Sequence, residues 1–148
     1  MVMKGAYTMY SALDISKYIV SKCTHENCPV SNLQLQKILY YIQRAFLRQD
    51  RIAFSDEIEA WQFGPVVPNV YYKFCGFGAM PITSVFENIL IMANDLSMIN
   101  KIVEDKRSLD PWDLVADTHK PNGAWNQIFQ NGIGNRNIIP RELIKKEG

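Results

Sequence analysis

The sequence predicts a mainly α fold, a single compact helical domain with at most a short β-hairpin or extended connector. Apolar residues recur at three- and four-residue intervals in several separate segments, which is the period of an amphipathic helix. Turn residues such as Gly64-Pro65 separate these segments, and strand-like alternation is short. Because no repeat or linker divides the chain, we expect one domain over residues 1–148 with its core at about 9–146.

Two helices are predicted before residue 50. Ser11 can cap the first, which we expect to end near Ser21, and Ser31 or Asn32 can cap the second. The second helix is the strongest prediction, because its apolar residues form one continuous stripe: Leu35, Ile38, Leu39, Ile42 and Phe46. Polar residues between them are expected on the other faces: Gln36, Lys37, Gln43 and Arg44.

A connector and a short helix are predicted next. Residues 54–61 fit either a single helical turn or a short extended piece, and we treat them as an ordered connector. Gly64-Pro65 ends the connector, because proline disfavours helical geometry for the residue before it. Pro68 suits the first position of a short helix, which the glycines at 76–78 end.

The second half of the chain is predicted to be helical after one short strand. Residues 81–86 have the β-branched character of a strand. Ser108 or Asp110 can cap a helix that starts at Pro111. The other helical segments are expected at 94–106, 124–130 and 140–146.

Composition indicates an ordinary globular protein of the cytoplasm. The net charge is +1 and the sequence pI is about 7.7, so a dedicated polyanion binder is not expected. Residues 1–10 hold no apolar run of signal-peptide length, and the run at 89–93 is far shorter than the ~20 residues that cross a bilayer. Three cysteines without an export signal fit reduced thiols.

Two small groups of residues carry the chemistry that an enzyme or metal protein uses. Cys23, His25 and Cys28 could supply three zinc ligands, with Cys75 or His119 as the fourth, but the spacing lacks the second ligand pair of a standard site. We therefore expect no metal and no cofactor.

His119 is the candidate general base, oriented by Asp117 or Asp113. The sequence shows no activated nucleophile beside it, and an active site needs a converging set of groups. A capping or hydrogen-bonded histidine that ties a turn to the body is the favoured interpretation, and we expect no enzymatic activity.

Basic residues on the second helix offer a nucleic-acid hypothesis. With the tyrosines between them they could contact phosphates and stack bases: Lys37, Arg44, Arg48 and Arg51 with Tyr40 and Tyr41. Nearby acidic residues dilute the positive field, so a solvated helix face is favoured and nucleic-acid binding is not expected.

Aromatic residues are concentrated in the stretch that follows the connector: Trp61, Phe63, Tyr71, Tyr72, Phe74 and Phe77. Most are expected in the core. A small domain cannot easily bury all of them, and the remainder would be rigid anchors of the kind that protein interfaces use.

Three runs of residues resemble the signature of the SocA-like antitoxins, which carry the Panacea domain and are also known as phage-associated GepA-like proteins. The runs are Leu35-Gln36-Lys37-Ile38-Leu39-Tyr40-Tyr41, Phe54-x-x-x-Ile58-Glu59-Ala60-Trp61, and Gly64-Pro65-Val66-Val67-Pro68-x-Val70-Tyr71. A later run, Leu114-x-x-x-Thr118-His119 followed by Trp125, resembles the second, weaker signature of the family. Two features depart locally from the family's pattern: the cysteine loop at residues 23–28 and the Asn122-Gly123 spacing before Trp125.

The resemblance implies a mostly helical antitoxin of a type II toxin–antitoxin pair that neutralises a cognate toxin by direct binding. It also implies a possible second role, as an adaptor that delivers the toxin to the ClpXP protease. Neither role needs a cofactor, and an autoregulator that binds nucleic acid ranks below both. By analogy we expect toxin contacts on the elbow, defined as residues 59–72, and on the outer face of the second helix: Trp61, Gly64, Pro65 and Tyr71, with Lys37, Tyr41 and Arg44.

Overall fold

Seven α-helices and one two-stranded hairpin make up the regular structure of residues 9–147, the part of the chain that the computed structural model describes. The helices are α1 Ala12–His25, α2 Asn32–Leu47, α3 Pro68–Phe74, α4 Ala93–Lys106, α5 Pro111–Thr118, α6 Ala124–Phe129 and α7 Arg141–Lys146. Strands β1 Glu59–Trp61 and β2 Gly64–Val66 form the hairpin, and 3₁₀ turns cover Cys75–Phe77 and Gln130–Gly132. The mainly α prediction is confirmed. Most of the segment in which we expect no export signal, residues 1–8, lies outside the described residues.

Helix α2 is the centre of the fold. It begins with a capping box, in which the Ser31 side chain accepts from the Gln34 amide and the Gln34 side chain accepts from the Ser31 amide. Helices α1, α3, α4, α5 and α7 and strand β2 all pack against it. Of its sixteen residues only Leu33, Arg44 and Ala45 escape full burial, so its polar side chains lie inside the protein together with its apolar stripe.

The hairpin turns sharply at Gly64, whose φ of +114° is a conformation that residues with a Cβ rarely adopt. A Cβ at this position would lie 2.8 Å from both Lys37 Cε and Thr118 Oγ1. The hairpin therefore packs directly onto α2 and α5 through a position that has no side chain. Of the two alternatives for the connector, the extended one is observed.

The chain just before α7 holds the outer edge of the hairpin. The Ala60 amide donates to the Asn137 carbonyl at 2.8 Å, and the Arg136 amide donates to the Ala60 carbonyl at 2.6 Å. A third bond runs from the Ile139 amide to the Ile58 carbonyl. Backbone hydrogen bonds on both edges make a three-residue strand rigid, although an isolated hairpin of this length is marginal in water.

The predicted strand at 81–86 is wrong, since this segment has no regular structure. Its bonds go to α1 and to the turn after it: the Ile82 amide donates to the Val30 carbonyl, and the Phe86 amide donates to the Ser21 hydroxyl. Side-chain and turn partners take the place of a ladder. Helix α1 also runs past the expected end at Ser21 to His25, because Cys23 continues its buried face.

The longest described helix, α2, has sixteen residues and carries polar side chains throughout. Within residues 9–147, none of the helices combines the length and the apolar character that crossing a bilayer requires.

Candidate partner-binding groove

A groove of about 530 Å³ opens on the surface where the N-terminal half of α2 meets the elbow. We call it the elbow groove and define it by its aromatic wall, its polar floor and its basic rim: Trp61, Phe63, Tyr71 and Trp112, then Asn32, Gln36 and Lys37, then Arg136. These residues come from α2, the hairpin, α3, α5 and the chain before α7. The groove is therefore a product of the tertiary fold, and it is the candidate site.

The aromatic wall consists of two edge-on ring pairs. The centroids of Trp61 and Tyr71 lie 5.0 Å apart, and those of Phe63 and Trp112 lie 5.3 Å apart. Phe63 is 47% exposed and Trp112 is 58% exposed, which is unusual for side chains of this size. Exposed rings that are held by neighbouring rings are the kind of rigid anchor that protein partners bind.

The basic rim is the guanidinium of Arg136. It lies 4.0 Å from the centroid of the Trp61 ring, and its Nη1 donates to the Tyr72 hydroxyl at 3.1 Å. Both contacts hold the cation in place without neutralising it. Within residues 9–147, no carboxylate forms an ion pair with Arg136.

The polar floor ties α2 to the elbow through its side chains. The Gln36 amide nitrogen donates to Asn32 Oδ1 at 2.9 Å, and its oxygen accepts from the Val67 amide at 2.9 Å. Asn32 in turn donates to the Tyr71 carbonyl at 3.0 Å. These bonds satisfy polar groups that are shielded from water and fix the distance between floor and wall.

Lys37 is the unusual member of the floor. Its side chain has no exposed area, and its ammonium donates to the Pro65 carbonyl at 3.3 Å. Burial alone lowers the pKa of Lys37 to about 7. In the part of the chain that the structure describes, no carboxylate compensates this charge.

His119 and Trp125, which belong to the second signature, pack against the elbow on the side of Trp61. The His119 ring is stacked on the Trp125 ring with centroids 3.6 Å apart, and the Trp125 indole donates to the Trp61 carbonyl at 2.7 Å. Burial lowers the pKa of His119, the nearby charge of Lys37 lowers it further, and a backbone hydrogen bond at Phe63 raises it. A neutral, stacked imidazole therefore braces the hairpin.

The hypothesis that Asp117 or Asp113 orients His119 as a base is wrong. The Asp117 carboxylate accepts from the Tyr41 hydroxyl and pairs with Lys120 at 3.2 Å. Asp113 is exposed on the first turn of α5. The His119 ring stacks on Trp125 without a carboxylate partner among the described residues, so a catalytic dyad is not formed there.

The expectation that Lys37, Tyr41 and Arg44 lie on an exposed outer face of the second helix is wrong. Lys37 is 0% exposed and Tyr41 is 4% exposed. Only 17% of the Arg44 side chain is accessible, and its guanidinium lies 3.9 Å from the Glu147 carboxylate. Helices α5 and α7 cover this face, which a helical pattern read from α2 alone does not indicate.

On the elbow, the structure separates the four candidate residues into two pairs. Gly64 and Pro65 are buried and shape the turn. Trp61 and Tyr71 are partly exposed and form one half of the aromatic wall. Their contact with a toxin stays a prediction.

Five groove residues were not among the toxin contacts expected from the sequence: Asn32, Gln36, Phe63, Trp112 and Arg136. Trp112 lies in the first turn of α5, beside Pro111, and this position leaves its side chain outside the core. Arg136 carries no local signal, because only the pairing of its backbone with Ala60 brings it over Trp61.

The basic stripe of the nucleic-acid hypothesis is not a free surface. Both Arg51 Nη atoms donate to the Asp95 carboxylate, at 2.7 and 2.9 Å. Arg48 donates to the Glu147 carbonyl, and the two tyrosines of the stripe are buried. Intramolecular partners therefore occupy Arg48 and Arg51, two of the four cations that would contact phosphates.

The cysteine loop is held by a backbone hydrogen bond between its first and last cysteine. The Cys28 amide donates to the Cys23 carbonyl at 2.8 Å, and burial raises the pKa of the Cys23 thiol. Across residues 9–147, histidines, cysteines and carboxylates form no group of three or more that could hold a metal ion.

Comparison with known proteins gives two findings. A family model described as "Antitoxin SocA-like, Panacea domain" matches residues 35–126. The protein Antitoxin SocA of Caulobacter vibrioides (strain NA1000 / CB15N) is 31% identical over 137 residues, covering 81% of this chain and 70% of the relative. No solved structure gives a match of comparable significance. The matched range contains the aromatic wall and Lys37, whereas Arg136 lies beyond it.

Proposed function

Because the chain belongs to the SocA-like antitoxin family defined by the Panacea domain, we propose that it neutralises the cognate toxin of a type II pair by binding it directly. The elbow groove is the proposed contact surface. The observation that carries this proposal is the pair of large, exposed rings of Phe63 and Trp112 on a frame that hydrogen bonds hold in place.

The physical reason is the low cost of binding to a preformed surface. Partner binding usually orders side chains and loops, which opposes association. Here the ring pairs, the floor hydrogen bonds and the backbone pairing of β1 fix the groove before a partner arrives. Large aromatic anchors and an arginine at such a surface are typical of the residues that dominate binding energy.

An enzymatic function is the weaker alternative. The family is one of antitoxins, and the proposed neutralisation by binding requires no catalytic step. The imidazole that could act as a base is stacked against Trp125, and Asp117 is bonded to Tyr41 instead. These contacts favour a structural role for His119.

The experiment is co-expression rescue with the product of the adjacent open reading frame as toxin. The test variant is the double change Phe63→Ala and Trp112→Ala. The control is Ile133→Ala, which removes a side chain that is 87% exposed and does not line the groove. We expect the double variant to fail in rescue and to bind toxin more than about tenfold more weakly, while the control rescues.

Rescue by the double variant at wild-type levels, with unchanged toxin affinity, contradicts the groove as the contact surface. Masking and delivery to a protease are separated by the toxin's lifetime in the same cells. Delivery to ClpXP shortens that lifetime when the antitoxin is present, whereas masking leaves it unchanged or longer. A toxin that disappears only when ClpXP is active supports the adaptor role.

A further inference from the structure

We propose that the elbow groove recognises an acidic side chain of the partner, carried on an apolar or aromatic segment, through the Lys37 ammonium at its floor and the Arg136 guanidinium at its rim. This inference rests on the proposed function and names the chemistry of the segment that the groove takes. It commits to an aspartate or glutamate within the partner chain.

Charge complementarity is the first argument. Two cationic side chains line the groove, and none of the described residues that line it is an aspartate or glutamate. The arginines nearby are matched within the chain: Arg44 on α2 lies 3.9 Å from Glu147, and Arg51, which follows α2, pairs with Asp95 at 2.7 Å. The groove is therefore a place where positive charge is left for a ligand to neutralise.

The burial of Lys37 is the second argument. Removing an ammonium group from water costs several kcal/mol, and the one bond to the Pro65 carbonyl compensates only part of this cost. A carboxylate that enters the groove supplies the missing counter-charge. Its attraction to Lys37 is strong because the surrounding dielectric is low. The same burial lowers the pKa of Lys37 to about 7.

The shape of the groove selects what accompanies the carboxylate. The Trp61–Tyr71 and Phe63–Trp112 pairs present ring faces and edges beside the cations. An apolar side chain next to the acidic residue can pack against these rings while the carboxylate approaches Lys37. The Lys37 ammonium has no exposed area, so the carboxylate acts on its charge across the floor of the groove, whereas the exposed Arg136 at the rim is the cation that it contacts.

Short peptides in solution test the preference of the groove for an acidic side chain without the toxin. The probes are acetyl-Leu-Glu-Phe-amide, the isosteric acetyl-Leu-Gln-Phe-amide, and acetyl-Leu-Gln-Phe with a free C-terminal carboxylate. Indole signals in a ¹⁵N–¹H NMR titration report the site, because the chain has three tryptophans. We expect the Trp61 and Trp112 signals to move more than that of Trp125, and the Glu peptide to bind at least about tenfold more tightly than the Gln amide.

Variants assign the preference to the two cations. We expect Lys37→Met and Arg136→Gln each to reduce the preference for Glu over Gln to within about threefold. Lys101→Gln is the matched control, since this lysine is exposed on α4 away from the groove, and the preference should persist in it. Arg136→Gln keeps the test decisive if Lys37→Met fails to fold.

Equal binding of the Glu and Gln peptides overturns the inference, as does a preference that survives both variants. Tighter binding of the free-carboxylate peptide, or of a short single-stranded oligonucleotide, also overturns it, because the ligand is then a chain terminus or a phosphate. A failed peptide result combined with loss of toxin binding in the Phe63→Ala, Trp112→Ala variant leaves the proposed function intact. The reverse combination keeps the carboxylate site and rejects the groove as the toxin contact.

Discussion

The two ends of the five-residue stretch 37–41 in the middle of helix α2 bury polar side chains in opposite ways. At the C-terminal end, the Tyr40 hydroxyl donates to the Glu147 carboxylate and the Tyr41 hydroxyl donates to Asp117. Burial and these carboxylates raise the pKa of both tyrosines, so each stays a protonated donor. At the N-terminal end, Lys37 is equally buried but has only the Pro65 carbonyl.

This difference indicates that the tyrosines contribute to the stability of the fold, whereas the lysine is available for binding. The tyrosine end is matched within the chain, and Glu147 also accepts from the Ala124 amide at 3.0 Å, which joins the C-terminal residues to α6. The lysine end is incompletely matched and opens onto the elbow groove. A site that is incomplete in the free protein costs stability and is available to a partner.

Gly64→Ala is the change with the largest expected effect on the lysine end. The alanine backbone must keep a strained positive φ, and its Cβ collides with Lys37 and Thr118. We therefore expect a loss of about 2–5 kcal/mol in the free energy of unfolding. Denaturant unfolding measures it. Gly132→Ala is the matched control, because its φ of +105° is similar but nothing lies within 4 Å of its Cβ. Equal losses in the two variants mean that the close packing of the hairpin on Lys37 contributes nothing.

Lys37→Met is expected to stabilise the protein by about 1–4 kcal/mol at neutral pH, because it replaces an uncompensated buried charge with an apolar side chain of similar length. Thermal unfolding measures this. The same variant is expected to lose the preference for an acidic ligand. A destabilised Lys37→Met protein indicates that the ammonium is better compensated than its single bond suggests.

The pH dependence of this gain follows from the pKa. In the folded protein the pKa of Lys37 is about 7, below its ordinary value of 10.5, so the unfolded chain binds more protons between these values. The cost of the buried charge is complete below pH 7 and disappears as the pH rises toward 10.5. The advantage of Lys37→Met should therefore shrink across this window in urea unfolding at a series of pH values. A pH-independent advantage contradicts the burial of a charged ammonium.

Tyr40→Phe tests the matched end. Removing this hydroxyl leaves the buried Glu147 carboxylate with fewer donors, and we expect a loss of about 1–3 kcal/mol. Tyr41→Phe is the control, since the Asp117 carboxylate is more accessible to water and keeps Lys120. It should cost about 0.5–1.5 kcal/mol. Chemical denaturation of both variants gives the comparison, and a larger loss for Tyr41→Phe contradicts the role of Glu147.

Trp112→Ala should have the smallest effect on stability, within about 0.5 kcal/mol, because this side chain is more than half exposed. Calorimetric unfolding checks it. The same substitution is expected to weaken toxin binding, which separates the groove from the core. A loss above about 2 kcal/mol places Trp112 among the residues that hold the fold together.

Local chemistry allowed much of the fold to be predicted from the sequence. Ser11, Ser31 and Asp110 cap their helices as expected, and Pro68 and Pro111 occupy first helical positions. Capping, proline placement and the helical period depend on residues within a few positions of one another. The order of the motifs that resemble the family is likewise a property of the chain.

The site was predicted only in part, for reasons that lie in packing. The helical period identifies the apolar stripe of α2, but it does not state how many neighbours cover the other faces, so the burial of Lys37 and Tyr41 was missed. The elbow was recognised by its concentration of aromatic residues, whereas its partners Trp112 and Arg136 were not.

Helices and turns were thus fixed by interactions between residues near each other in the chain. The groove, by contrast, depends on contacts across long sequence separations, such as Phe63 with Trp112 and Trp61 with Arg136. Burial is a property of the assembled fold, because neighbouring elements determine whether water reaches a side chain. The uncompensated charge of Lys37 beneath the elbow arises in this way.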